Sequence, residues 1–217
     1  MEDKESVIVL HGITKTSRHM RRLAAYLADQ GFQVFNLDYP STRYPLEQLV
    51  SIVRQQILGL LDCSDKVHFV GYSMGGLLVR ALLKECRPAC LGRVVQLAPP
   101  NNGSEVADYC RKLWIYKKLF GPAGQQLITD QSAISELFGP VDYELGVIAG
   151  CFALDPIGAL IIKGQHDGKV SVASTRLAGM KEHIIVKSSH VWFPNSKTVQ
   201  RLTATFIKYG SFQSRSL

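Results

Sequence analysis

No apolar run in this chain of 217 residues approaches the roughly 20 consecutive residues that a helix needs to cross a bilayer, so a membrane-spanning helix is not expected. The start, MEDKES, runs straight into the apolar stretch Val7–Leu10. It lacks the basic opening, apolar core and small-residue cleavage site of a secretory leader, and a cytoplasmic setting is the expectation. Cysteine is sparse: Cys63, Cys86, Cys90, Cys110 and Cys151 are scattered and odd in number. Cys86 and Cys90 lie four apart, but no second Cys/His pair accompanies them, so neither a metal site nor a disulfide framework is indicated. All five read as reduced, mostly buried thiols. The net charge of +7 comes without a block of Lys/Arg of the length seen in nucleic-acid arms, and no nucleic-acid partner is expected. Repeats and low-complexity segments are also missing.

What is present is an ordinary globular composition, 46% hydrophobic and 20% charged, long enough for one domain over 1–217. Strands and helices alternate. Val7–Leu10 is a short, fully apolar run of the kind found inside a parallel sheet. Thr16 or Ser17 can cap a helix with Met20, Leu23, Ala24 and Leu27 on one face, closed by Gly31. Phe32–Leu37 is the second strand, and Pro45 opens a helix to about Leu61. Val67–Val70 leads without a linker into a helix from Met74 to about Cys86. Further strands follow at Val94–Leu97, Val147–Ala149 and Ile184–Val186, then a helix from Lys197 to Tyr209. Repeated strand–helix–strand units imply a mostly parallel sheet of about six strands, with helices on both faces. The long interval from Pro99 to Leu145 breaks the rhythm. It is helical in character and carries Trp114, Tyr116, Phe120 and Phe138, and a cap insertion at about 101–145 is expected there.

The chemistry is carried by Gly71-Tyr-Ser-Met-Gly75, set between an apolar strand and an apolar-faced helix. A turn that tight needs glycines on either side of the serine, and it pushes the Ser73 hydroxyl out at the strand's C-terminal end. A serine hydroxyl needs a base, and the base an orienting acid. On such a turn they follow in the order acid, then histidine. Asp167, in a loop flanked by glycines, and His190, after the last strand, occupy those places. His166 is a rival base, and Asp155 and Asp142 are rival acids. His19, His68 and His183 suit structural or surface roles. An oxyanion needs donors already in place: the backbone N–H of Met74 at a helix N-terminus, and that of Ile13 in the loop shaped by His11 and Gly12.

The His-Gly loop, Gly-Tyr-Ser-Met-Gly-Gly, Gly-Gln-His-Asp-Gly and the later Ser-His resemble the α/β-hydrolase superfamily, in chain order and over nearly the whole chain. Leu97-Ala-Pro-Pro-Asn-Asn-Gly-Ser104 resembles a stretch beside the active site of bacterial lipase- and esterase-like members. The resemblance implies a Ser73–Asp167–His190 triad with Met74 and Ile13 as oxyanion donors, in a small α/β-hydrolase fold without the leading antiparallel strands of larger members. It implies hydrolysis of a small-molecule ester through an acyl-enzyme on Ser73, with thioester hydrolysis or acyl transfer as the alternative on the same residues, and no cofactor or metal. A non-catalytic binding module is the reading from a different class, and the filled triad positions speak against it. Expected cleft residues are His11, Gly12, Ile13, Tyr39, Arg43, Tyr72, Asn101, Asn102 and Trp192. Arg43 suits either an anionic substrate group or a surface ion pair. The stretch Cys110–Phe120 mixes bulky apolar residues with cations, which suits weak contact with an anionic lipid surface or, equally plainly, a helix packed on the core with its lysines in water.

Overall fold

The computed structural model describes residues 5–61 and 65–213; Cys63 and the first four residues lie outside them. Six strands are described: β1 Glu5–Leu10, β2 Gln33–Leu37, β3 Lys66–Tyr72, β4 Leu91–Leu97, β5 Leu145–Gly150 and β6 Glu182–Val186. All neighbouring pairs are parallel, in the order β2-β1-β3-β4-β5-β6. The chain steps from β1 outward to β2 and then back across to β3, so the C-terminal ends of β1 and β3 flank the point where the winding reverses. Open α/β sheets bind ligands at such a point. There Leu10 stands beside Gly71, and Gly71 beside Gln96.

The apolar strands read as continuous runs because both faces are covered. Ile8, Leu10, Phe69, Val94 and Val147 face one core with α2 (Leu46–Leu61) and α3 (Met74–Glu85). Val7, Val9, Val70, Val95 and Ile148 face the other, with α1 (Ser17–Asp29) and α7 (Lys197–Tyr209). Successive residues therefore alternate between two dry layers, as the pleat requires.

Two local readings change. Thr16 occupies the N-cap position of α1 but makes no side-chain cap. The cap comes from Asp38, just past β2, whose carboxylate accepts from the Ser17 N–H and hydroxyl, each at 2.6 Å. The thiols of Cys86, Cys110 and Cys151 are free but half-buried rather than buried. Between β4 and β5 lie α4 (Glu105–Cys110), α5 (Trp114–Gln126) and a 3-10 turn at Ser132–Leu137. A short helix absent from the sequence reading, α6 (Pro156–Ile161), follows β5. Among the described residues no helix is long and apolar enough to cross a membrane.

Candidate active site

β3 runs into α3 through a single residue. Ser73 occupies that turn at φ 53°, ψ −123°, a strained conformation for any residue with a Cβ. Its surroundings hold it there: its N–H donates to the Leu97 carbonyl at 2.8 Å, and its carbonyl accepts from Gly76 N–H at 2.9 Å. The flanking glycines are dictated by contact. A Cβ on Gly71 would lie 2.6 Å from Gly75 O, and one on Gly75 would lie 2.6 Å from the carbonyl oxygens of Leu10 and His11.

Asp167 lies in the long loop between α6 and β6, and His190 opens a 3-10 turn (His190–Asn195) after β6. His190 Nε2 stands 3.1 Å from Ser73 Oγ, and His190 Nδ1 stands 2.7 Å from Asp167 Oδ2. The other carboxylate oxygen, Oδ1, accepts from the N–H groups of Lys169 at 3.0 Å and Val170 at 2.9 Å. With Oδ1 so occupied, Oδ2 is left to face the ring, which places the imidazole proton on Nδ1 and leaves Nε2 to accept from the hydroxyl. The ring is held from behind as well: His190 N–H donates to the Asp167 carbonyl at 2.9 Å, and the Tyr72 hydroxyl donates to the His190 carbonyl at 2.7 Å. All three residues are buried, with Asp167 only 2% exposed. In such a series the imidazole can take the hydroxyl proton while the carboxylate orients the ring.

The rivals are engaged elsewhere. His166 Nδ1 accepts from Gly168 N–H at 3.1 Å. Asp155 caps α6 through the Ile157 N–H at 2.9 Å and pairs with Lys169. Asp142 pairs with Arg87.

The loop after β1 closes over Ser73. A Cβ on Gly12 would lie 3.1 Å from Ser73 Cβ. Lys15 N–H donates to the Gly12 carbonyl at 3.2 Å, closing a turn in which Thr14 sits at φ 59°, another costly conformation beside the serine. His11 pins this loop from beneath. It is fully buried, its Nδ1 lies 2.8 Å from the Gly12 carbonyl, and its Nε2 accepts from Tyr39 N–H at 3.4 Å. Burial lowers its pKa and keeps the ring neutral.

A cavity of about 360 Å³ opens over Ser73 and His190. Of the residues expected in the cleft, Gly12, Ile13 and Tyr72 line this cavity. His11, Tyr39, Arg43, Asn101 and Asn102 do not. Tyr39 stacks on His11 with ring centres 4.1 Å apart, and Arg43 is exposed. Asn101 lies in a buried polar cluster, taking a bond from Arg80 at 3.1 Å and giving bonds to Gln96 and to the Thr175 carbonyl, each at 2.9 Å. Asn102 ties to the carbonyls of Ser174 and Arg176. Trp192 lines an adjoining groove instead. Much of the remaining wall comes from the expected cap segment, with Val106, Ala107 and Cys110 from α4 and Tyr116 and Phe120 from α5, but these side chains were not singled out as cleft residues, nor were Leu127, Ile157, Val170 and Val191. The i, i+4 spacing of Tyr116 and Phe120, whose rings stack at 4.4 Å, was the available signal.

A family model described as palmitoyl protein thioesterase matches residues 6–142. Lysosomal thioesterase PPT2 of Mus musculus and that of Rattus norvegicus are each 29% identical to this chain over 134 residues, covering 55% of this chain and 44% of theirs. The chain thus spans less than half the length of the curated relatives it matches. Among solved structures, the mature lipase BlEst2 of Bacillus licheniformis superposes with a TM-score of 0.79 at 17% identity, covering 97% of this chain and 94% of that one. Phospholipase PlaB of Legionella pneumophila superposes at 0.71 and 18% identity, covering 96% of this chain and 57% of that one. The structural likenesses establish the α/β-hydrolase fold.

Proposed function

The chain belongs to the palmitoyl protein thioesterase family, and on that premise we propose that it is a serine hydrolase of acyl esters or thioesters working through a Ser73–His190–Asp167 triad. The observation that carries this reading is the hydrogen-bonded series from Ser73 Oγ through His190 to Asp167. Ser73 Oγ attacks the carbonyl carbon while its proton passes to His190 Nε2. The oxyanion that forms is met by the backbone N–H groups of Met74, first residue of α3, and of Ile13. His190 then gives its proton to the departing alkoxide or thiolate, leaving an acyl group on Ser73. Water, activated by the same imidazole, releases the acid. The cavity over Ser73, walled mostly by apolar side chains, suits the acyl chain, with α4 and α5 acting as the cap. The family match favours thioesters, the lipase-like fold neighbours carboxylic esters, and one active site of this kind serves both.

A fluorophosphonate probe should label the wild type and fail on Ser73→Ala; labelling of that variant at the wild-type level would overturn the assignment. Activity surviving His190→Ala but not His166→Ala would overturn the choice of base. Paired p-nitrophenyl esters and thioesters of one acyl chain then rank the two chemistries.

Two coarser expectations belong to the same proposal. A cytoplasmic setting accords with the free thiols of Cys86, Cys110 and Cys151. Weak contact with an anionic lipid surface is supported by α5 and its lead-in, where Leu113, Trp114, Ile115 and Leu119 are exposed alongside Lys112, Lys117 and Lys118. Replacing the three lysines with glutamine should weaken binding to anionic vesicles severalfold; unchanged partitioning would refute the contact.

A further inference from the structure

A second concavity, of about 620 Å³, lies against the reaction cavity and shares Thr14 and Lys15 with it. One wall is the N-terminal half of α1, and the other is the 3-10 turn that His190 opens, represented by Trp192 and Asn195. Its charged lining is Lys15, Arg18, Arg21 and Arg22, with no carboxylate among the lining residues. Spacings of three and four residues put Arg18, Arg21 and Arg22 on one side of α1, and Lys15 stands just before it. Among the described residues none of the four forms an ion pair. Asp38, whose carboxylate reaches this end of α1, is held by Ser17 and does not line the groove.

The arrangement is unfavourable by itself. Arg18 and Arg22 are an i, i+4 like-charge pair, and Arg18 and Arg21 are i, i+3. All lie in the first turns of α1, whose N-terminus is already met by the Asp38 carboxylate although its own first turn carries no acidic residue. A multiply charged anion in the groove would relieve the repulsion among the cations and add bidentate guanidinium contacts.

Its position decides which part of a substrate it would hold. The mostly apolar cavity lies on the α4–α5 side of Ser73, whereas the groove lies beyond the loop after β1, beside the turn that begins with His190. The atom that His190 protonates belongs to the departing group, so that group leaves on the imidazole side.

We propose that the groove between α1 and the His190–Asn195 turn is a binding site for a phosphate-bearing leaving group, so that the substrate is an acyl ester or thioester of a phosphorylated alcohol or thiol. This rests on the hydrolase reading of Ser73 and adds to it the class of the group that departs. A nucleotide-bearing thiol and a lysophospholipid share this chemistry, and the test separates them.

Two matched pairs serve: a butyryl thioester of coenzyme A against that of N-acetylcysteamine, and short-chain phosphatidic acid against the diacylglycerol of the same chains. The wild type should favour the phosphate-bearing member of at least one pair in kcat/KM, and the pair that responds identifies the source. That preference should fall about tenfold when Arg18, Arg21 and Arg22 are all changed to glutamine. Arg54→Gln, on the exposed side of α2, should leave it in place. Raising the salt to about 1 M, where screening acts within ~3 Å, should erode the preference in the wild type, a readout that holds even if the triple variant folds poorly. Binding of coenzyme A and of lysophosphatidic acid to Ser73→Ala by calorimetry needs no turnover. It should show the same loss in the background of the three arginine changes. Absence of preference in both pairs, or a preference indifferent to salt and to the arginines, would overturn the proposal. If the phosphate probes bind in the expected manner but no substrate is cleaved in a Ser73-dependent way, the hydrolase reading falls instead.

Discussion

At the scale of single residues, Tyr72 shows how much of the site lies outside its reacting groups. Its ring is buried beneath His190, with ring centres 5.2 Å apart, and its hydroxyl holds the His190 carbonyl. Burial raises its pKa, so it donates as a neutral phenol. Tyr72→Phe keeps the ring and deletes only that bond, leaving a buried carbonyl short of a donor. The expected outcome is a loss of about 1–2 kcal/mol in unfolding free energy and a fall in kcat larger than any rise in KM, because the imidazole loses its fixed seat. Asp167→Asn should be harsher. The amide would still meet the Lys169 and Val170 N–H groups through its oxygen, but its NH2 would face Nδ1 and favour the wrong tautomer. A drop in kcat of about 10⁴ is the order set by the analogous change in serine proteases. Steady-state kinetics with urea unfolding checks both, and a Tyr72→Phe enzyme with wild-type kcat would refute the seating argument.

At the scale of elements, legibility follows the distance in sequence over which each feature is built. The strands were readable because burial on both faces makes each an unbroken apolar run, and the strand–serine–helix turn because its glycines, serine and flanking periodicity all fall within one short segment. The order of acid and base along the chain, together with their places in loops after apolar segments, put Asp167 and His190 ahead of the rivals His166, Asp142 and Asp155. The cap of α1 was not readable in the same way, since its acceptor Asp38 arrives from the end of β2. Asn101 looked like a cleft residue from its neighbours in sequence, yet the side chains of Arg80 and Gln96 and the Thr175 carbonyl claim it. The helix α6 did leave a trace, an Asp155-Pro156 start of the kind that caps helices, but it is too short for periodicity to show. The wall formed by α4 and α5 depends on how those helices lie over the sheet, which spacing alone does not set. That wall gives a prediction of its own. Ala107 lines the cavity and is 4% exposed, so Ala107→Phe should fill part of the acyl site. The ratio of kcat/KM for p-nitrophenyl octanoate to that for the acetate should fall at least about tenfold, a few methylenes' worth of binding. A ratio unmoved by the substitution would place the acyl chain elsewhere.

For the molecule as a whole, the histidines link stability to acidity. Burial lowers the pKa of His11, His68 and His183, and burial together with nearby positive charge lowers that of His19 to about 4. For two of them the reason is visible in the bonding: His11 Nε2 accepts from Tyr39 N–H and His68 Nδ1 accepts from Arg93 N–H at 2.8 Å, so a proton on either nitrogen displaces a backbone donor. Glu5 near His68 and Asp38 near His11 pull the other way, but burial outweighs them. The sign follows from these directions. The folded chain refuses protons that the unfolded chain takes up below about pH 6.5, so stability is intact above that pH and declines as pH falls toward the lowered folded values. With up to about 1.4 kcal/mol per pH unit for each excluded proton, and 2–4 °C per kcal/mol for a chain of this size, each histidine held neutral should lower the thermal midpoint by up to about 5 °C between pH 6.5 and 5.5. Replacing His68 with glutamine, whose amide oxygen can still accept from Arg93 N–H, removes one of these protons without opening the core. Its midpoint should therefore fall less steeply over the same interval. Calorimetric scans of both proteins across that range decide the matter, and a wild-type midpoint that stays flat or rises on acidification would show that the buried histidines take up protons within the fold.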